Sequence, residues 1–232
     1  MSRAHHPETH KITIIAWLRA GVLGANDGII STACLILGVA ATNAGRNELL
    51  VAGIAALTAG AMSMAAGEYV SVSSQADAER ADIEVERQEL KADPVAEHRE
   101  LTAIYMARGV SAELASRVAD ELMVHDALGA HLQDELGIRQ ETMARPLQAA
   151  LASACTFAFG AALPLLTALF VSTENIIPLV AGMSLLCLVA LGVLGAYIGA
   201  APLGRAALRV GFWGALAMAI TTGIGKLFGT VL

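Results

Sequence analysis

Residues 49–91 read LLVAGIAALTAGAMSMAAGEYVSVSSQADAERADIEVERQELK. Two kinds of helix are joined here without a break. Between residues 49 and 72 the only charged side chain is Glu68. About 20 such residues are enough to cross the hydrocarbon core of a bilayer. From Asp77 onward charges dominate, and no Gly or Pro interrupts the chain until Pro94. Proline disfavours helix at the residue before it, so the Ala92-Asp93-Pro94 turn is the predicted stop. One helix is therefore expected to cross a membrane and continue beyond it.

Working outward, four more apolar runs appear, at residues 14–41, 147–171, 176–201 and 208–227. Each is predicted to be helical, because a segment alone in lipid must satisfy its own backbone hydrogen bonds. The segment between the second and third runs is different material. Residues 75–146 hold 16 of the chain's 21 acidic residues and eight basic ones. After the Pro94 turn a helix is predicted over 94–108, with proline tolerated in its first turn. A Gly109-Val110-Ser111 turn follows, with Ser111 as N-cap, and then a helix over 112–136.

The predicted fold is all-α: a polytopic membrane protein with five transmembrane helices and a three-helix cytosolic module between spans two and three. Its divisions are residues 1–74 (tail and spans one and two), 75–146 (acidic module) and 147–232 (spans three to five).

Composition agrees. Hydrophobic residues make up 56% and charged residues 16%, against about 25% charged in soluble domains. Ala and Gly are abundant and suit close helix packing in lipid, as does the Gly195-x-x-x-Gly199 pattern. Cys34, Cys155 and Cys187 fall inside predicted spans with no CxxC spacing, so no disulfide framework is expected. Pro164 and Pro178 are candidates to kink or start spans three and four. Residues 1–11, with His5, His6 and His10, carry no cleavage site and read as a polar tail.

With the N-terminus inside, Arg46 and Lys226 are the only basic residues left outside, as the positive-inside rule requires. The N-terminus and acidic module are thus expected in the cytosol and the C-terminus opposite. The lack of a targeting segment and the Ala/Arg-rich composition point to a bacterial inner membrane.

No phosphate-binding loop, nucleophile elbow, HExxH or nucleic-acid motif occurs. An enzyme is not expected, and neither is a nucleotide-driven pump. An ion gradient is left to drive any transport.

Three residues within the spans stand out. Asp27 lies mid-span in Gly24-Ala25-Asn26-Asp27-Gly28. An acid at the bilayer centre costs about 2.5–3.5 kcal/mol on insertion scales, so it usually faces an interior cavity and works there. Met64 and Glu68 are four apart and share a helix face. A thioether with a carboxylate suits a borderline-soft transition metal better than Mg²⁺ or Ca²⁺.

In the module, Glu79, Asp82, Glu86 and Glu89 line one helix face. Across the turn, Glu97 and Glu100 repeat the ExxE spacing. Met123 and Asp126, with Glu121 and His125 nearby, are the third helix's candidates. A run of acids is usually just a solvated face, and Arg80, Arg87 and Arg99 offer neutralisation. Yet like charges at these spacings repel mildly without a counterion.

At these residues the chain resembles the vacuolar iron transporter family. The matching stretches are GANDGIISTACLILGVAAT from Gly24, AGAMSMAAGEYVSVSSQADAE from Ala59, IEVERQEL from Ile83 and RPLQAALASACTFAFGAALPLL from Arg145. The last two spans match more by hydropathy than by motif.

The resemblance implies a homodimer that exchanges Fe²⁺, or Mn²⁺, for protons across the bilayer, with no prosthetic group. It implies a pathway through Asp27, Met64 and Glu68. It implies a cytosolic metal site of Glu86, Glu89, Glu97, Glu100, Met123 and Asp126. Leu122 stands where a paired Met is expected and Asp126 where a Glu is expected. The rival reading is a membrane-anchored metal sensor or buffer without transport.

Overall fold

The computed structural model describes residues 9–138 and 144–229, with side chains from residue 21. His5, His6 and the His10 side chain lie outside the described residues, as do residues 139–143. The described chain is helical throughout, with no strand. Its α-helices are α1 (Thr9–Ala40), α2 (Arg46–Ala92), α3 (Pro94–Ala107), α4 (Ala112–Asp134), α5 (Pro146–Phe170), α6 (Ile176–Ile198) and α7 (Leu203–Gly229). A 3₁₀ turn, Thr173–Asn175, precedes α6. Five of the helices are long and apolar enough to cross a membrane.

Contacts divide the chain into two compact units, residues 1–68 with 148–232, and residues 69–147. Helix α2 contributes to both.

In the first unit α1, α6 and α7 pack on one another. Ile29, Ala33, Ile36 and Leu37 of α1 meet Val180 and Leu188 of α6 and Met218 of α7 in a buried core. Apolar burial gives little drive in lipid, so close approach through small residues must supply it. A Cβ on Gly28 would strike the backbone of Phe157 and Ala161 in α5, and one on Gly160 would strike the Ala25 carbonyl. On α2, Gly60 gives way to the Phe157 ring, and on α7 Gly225 abuts the Gly38 carbonyl. The Gly195-x-x-x-Gly199 pattern is not such a crossing. A Cβ at Gly195 would sit 3.7 Å from Val22, an ordinary contact, and Gly199 caps α6.

Several threonines in these helices are satisfied locally, while the buried Asn26 Oδ1, Thr32 hydroxyl and Ser184 hydroxyl have no hydrogen-bond partner. The hydroxyls of Thr156, Thr167, Thr221 and Thr222 donate to carbonyls one turn back. Arg46 donates to the carbonyls of Leu169 and Val171 at 2.7 Å, closing the C-terminal end of α5. Pro164 is buried inside α5, which continues through it. Pro178 lies in the first turn of α6. The last helix starts at Leu203, directly after Pro202 and ahead of the 208 expected from hydropathy. Hydropathy marks where the apolar stretch begins, and a helix can begin before it.

The second unit holds the polar end of α2 with α3 and α4. Asp93 caps α3 by accepting from the Ala96 N–H at 3.0 Å, and Pro94 follows at the first helical position. Gly109, at φ +93°, makes the turn into α4 that a side chain would resist. Ser111 holds the N-cap position of α4 without a side-chain bond. Helices α3 and α4 pack around Leu101, Ala115 and Ala119, all fully buried. At the C-terminal ends of both helices, Asp134 accepts from the Tyr105 hydroxyl and from Arg108 Nη1, both at 2.6 Å. Helix α4 is not straight: Asp126 breaks it with φ −160° and ψ 86°.

Candidate metal centre

Three helices each place one donor at the same point. Glu86 comes from α2, Glu97 from the first turn of α3 and His131 from the last turns of α4. Their exposures are 2%, 7% and 0%. One ligand atom from each lies within 4.8 Å of the others. Among the described residues it is the one group of three or more His, Cys, Asp or Glu donors with that geometry.

The reason two acids are buried is geometric. Each begins an ExxE pair, and each points its first member inward. Glu89 and Glu100, three residues on, lie about 60° round their helices and stay exposed. They act on the centre through charge. Arg80 and Arg87 do not neutralise it: Arg80 pairs with Asp77 at 3.3 Å and Arg87 with Glu84 at 2.6 Å.

Three carboxylates converge on a single ring nitrogen. His131 Nδ1 is 3.1 Å from Glu86 Oε1, 3.2 Å from Glu135 Oε2 and 3.6 Å from Glu97 Oε2. One N–H satisfies one of them at most. Glu86 Oε1, for all its closeness, is out of hydrogen-bond alignment and lacks a partner, as does the buried His131 Nε2. Buried polar atoms are rarely left so. An excess of acceptor oxygens around an imidazole is a donor set that could hold a divalent cation. Oxygen with nitrogen suits Fe²⁺, Mn²⁺ or Zn²⁺ better than the all-oxygen ions.

Electrostatics point the same way. Burial, and then the charge of Glu135, push the Glu86 carboxyl up to about 7, with His131 opposing. Burial likewise raises Glu97, again opposed by His131. A cation would relieve both.

Binding at this group should depend on pH. Metal must displace the proton on Glu86, so apparent affinity should fall about tenfold per pH unit below 7 and level off above it. In the metal-free protein the sign is also set. The folded state holds this proton more tightly than the unfolded chain, so stability should decline as pH rises from about 4.5 to 7. Calorimetric titration with Co²⁺ between pH 5.5 and 8 checks the first part. An affinity flat across that range would refute it.

From α4 the group draws His131, with Glu135 beside it, and Asp126 is not among its donors. Met123 is half-buried. Asp126 is exposed, and its Oδ1 accepts the Gly129 N–H at 3.0 Å. The sequence reading missed His131, although His131-x-x-x-Glu135 has the same-face spacing of a ligand pair.

In the first unit, Asp27 is exposed on α1, in line with Leu23, Ser31 and Leu35, which are exposed as well. Ser31 donates to the Asp27 carbonyl at 2.7 Å, leaving the carboxylate unused by that hydroxyl. Met64 is half-buried and Glu68 exposed on α2.

The family profile described as VIT family matches residues 18–226. A protein named vacuolar iron transporter from Acanthamoeba castellanii is 47% identical over 227 residues, covering 97% of this chain and 84% of its own. Vacuolar iron transporter homolog 1 of Oryza sativa subsp. japonica is 41% identical, covering 92% and 74%. Vacuolar iron transporter homolog 2 of Arabidopsis thaliana is 38% identical, covering 92% and 85%. With five membrane-crossing helices and a match that runs almost end to end, this chain is a multi-pass membrane protein and belongs to the VIT family.

Proposed function

We propose that the protein exports Fe²⁺, and Mn²⁺ as a second cargo, from the cytosol in exchange for protons. The observation that carries this reading is the buried Glu86–Glu97–His131 centre, which supplies a transition-metal donor set on an acidic unit. The names of its relatives supply iron and transport. The centre captures metal from the cytosol. Glu68, Met64 and Asp27 then carry it through the bilayer. The carboxyls of Asp27 and Glu68 must give up any proton to bind metal and can take one back when it leaves, so metal movement one way and proton movement the other are linked.

The exposed Asp27 also supports a homodimer. A carboxylate on a membrane-spanning face is costly against lipid and is normally turned to protein or water. A second copy placed over the Leu23–Asp27–Ser31–Leu35 line would cover it and form the pathway between protomers.

One observation favours a second reading. The candidate donor group lies wholly within the second unit, as a sensor or buffer would require. Fe²⁺ flux in proteoliposomes with an internal pH dye separates the two. Metal entry that rises with an acid-inside gradient and alkalises the lumen supports antiport. Binding without flux supports the sensor.

A further inference from the structure

We propose that Asp126 is a positioning residue. By breaking α4 and capping its last two turns, it turns His131 toward Glu86 and Glu97. The proposal rests on reading that cluster as a metal centre.

Helical register shows why a break is needed. The first part of α4 buries Ala115 and Ala119. In an unbroken α-helix at about 100° per residue, His131 would lie about 120° round from Ala119 and about 160° from Ala115. It would then face away from the packed side. His131 is instead fully buried, and the one non-helical residue between is Asp126, at φ −160° and ψ 86°.

The break is held in place by specific contacts. Asp126 Oδ1 accepts the Gly129 N–H at 3.0 Å, the bond an N-cap makes to the third residue of a new helix. Gly129 leaves room for it: a Cβ there would collide with the Asp126 carboxylate. At the other end, Asp134 is clamped to α3 through the Tyr105 hydroxyl, Arg108 Nη1 on its carboxylate and Arg108 Nη2 on its carbonyl at 3.1 Å. The short segment from Ala127 to Asp134 is fixed at both ends, with His131 between them and Glu135 next after it.

The test uses the full-length protein in detergent and Co²⁺ as probe, read by calorimetry and by the cobalt d–d absorption band. Asp126→Ala lets α4 run straight and should weaken Co²⁺ binding about tenfold or more, the usual scale for losing a residue that orients a ligand. Gly129→Ala should do the same by expelling the cap, and it carries the test if Asp126→Ala fails to fold. Asp126→Asn caps equally well and should keep affinity within about twofold, with an unchanged band.

The proposal is overturned if Asp126→Ala and Gly129→Ala bind like wild type. It is also overturned if Asp126→Asn loses as much as Asp126→Ala, since the charge would then be acting as a ligand. The metal reading fails separately, and this proposal with it, if wild type does not bind Co²⁺ or if His131→Ala leaves affinity unchanged.

Discussion

Alanine at position 131 should lower the affinity for Fe²⁺ or Co²⁺ by about a hundredfold, at or beyond the upper end of what losing an outer-shell partner costs. Two effects add. The variant loses the only nitrogen donor in the buried group. It also loses the group that opposes the raised carboxyls, since His131 is what holds Glu86 and Glu97 down against burial and mutual repulsion. Both acids should then keep their protons to higher pH. The loss of affinity is therefore expected to be larger at pH 6 than at pH 8. Calorimetry at the two pH values reads this directly. Affinity within about twofold of wild type at both would remove His131 from the centre.

The fold was legible because its punctuation is chemical. Pro94 stops α2 and starts α3, Gly109 turns the chain, and each apolar run is long enough to span a bilayer. The acids of the centre were half legible. The ExxE spacing marked all four glutamates, but spacing alone does not say which member of each pair faces inward. Helix packing decides that: Glu86 and Glu97 are buried and their partners remain at the rim.

His131 was illegible for a different reason. Reading residues 112–136 as one straight helix sends its side chain away from the acids. The register changes at Asp126, an exposed residue whose φ/ψ no hydrophobic pattern signals. A residue that looks like a ligand by charge and spacing turns out to hold a helix end. The same reading applied to Arg80 and Arg87 overestimates neutralisation. Each reaches three residues back along its own helix to an exposed acid, and neither joins the buried one.

Asparagine at position 27 should abolish proton-coupled metal flux while the protein still folds and inserts. Helix α1 uses its other faces for packing: Gly24 and Gly28 against α5, and Ile29, Ala33, Ile36 and Leu37 in the core. Asp27 takes no part in those contacts and stays exposed. Asparagine has nearly the same shape and keeps hydrogen-bonding capacity. It replaces an ionisable side chain with a neutral amide that is less costly in the bilayer, so stability should hold or rise. What it cannot do is carry a negative charge to offset a divalent cation, or give up and regain a proton. Metal entry into proteoliposomes should fall to background, and the lumen should stay acidic. Co²⁺ binding at Glu86, Glu97 and His131 should be unchanged, because the variant leaves all three donors in place. Wild-type coupling in Asp27→Asn would sink the antiport scheme. Normal metal flux with no proton movement would assign Asp27 to coupling alone and leave conduction to Met64 and Glu68.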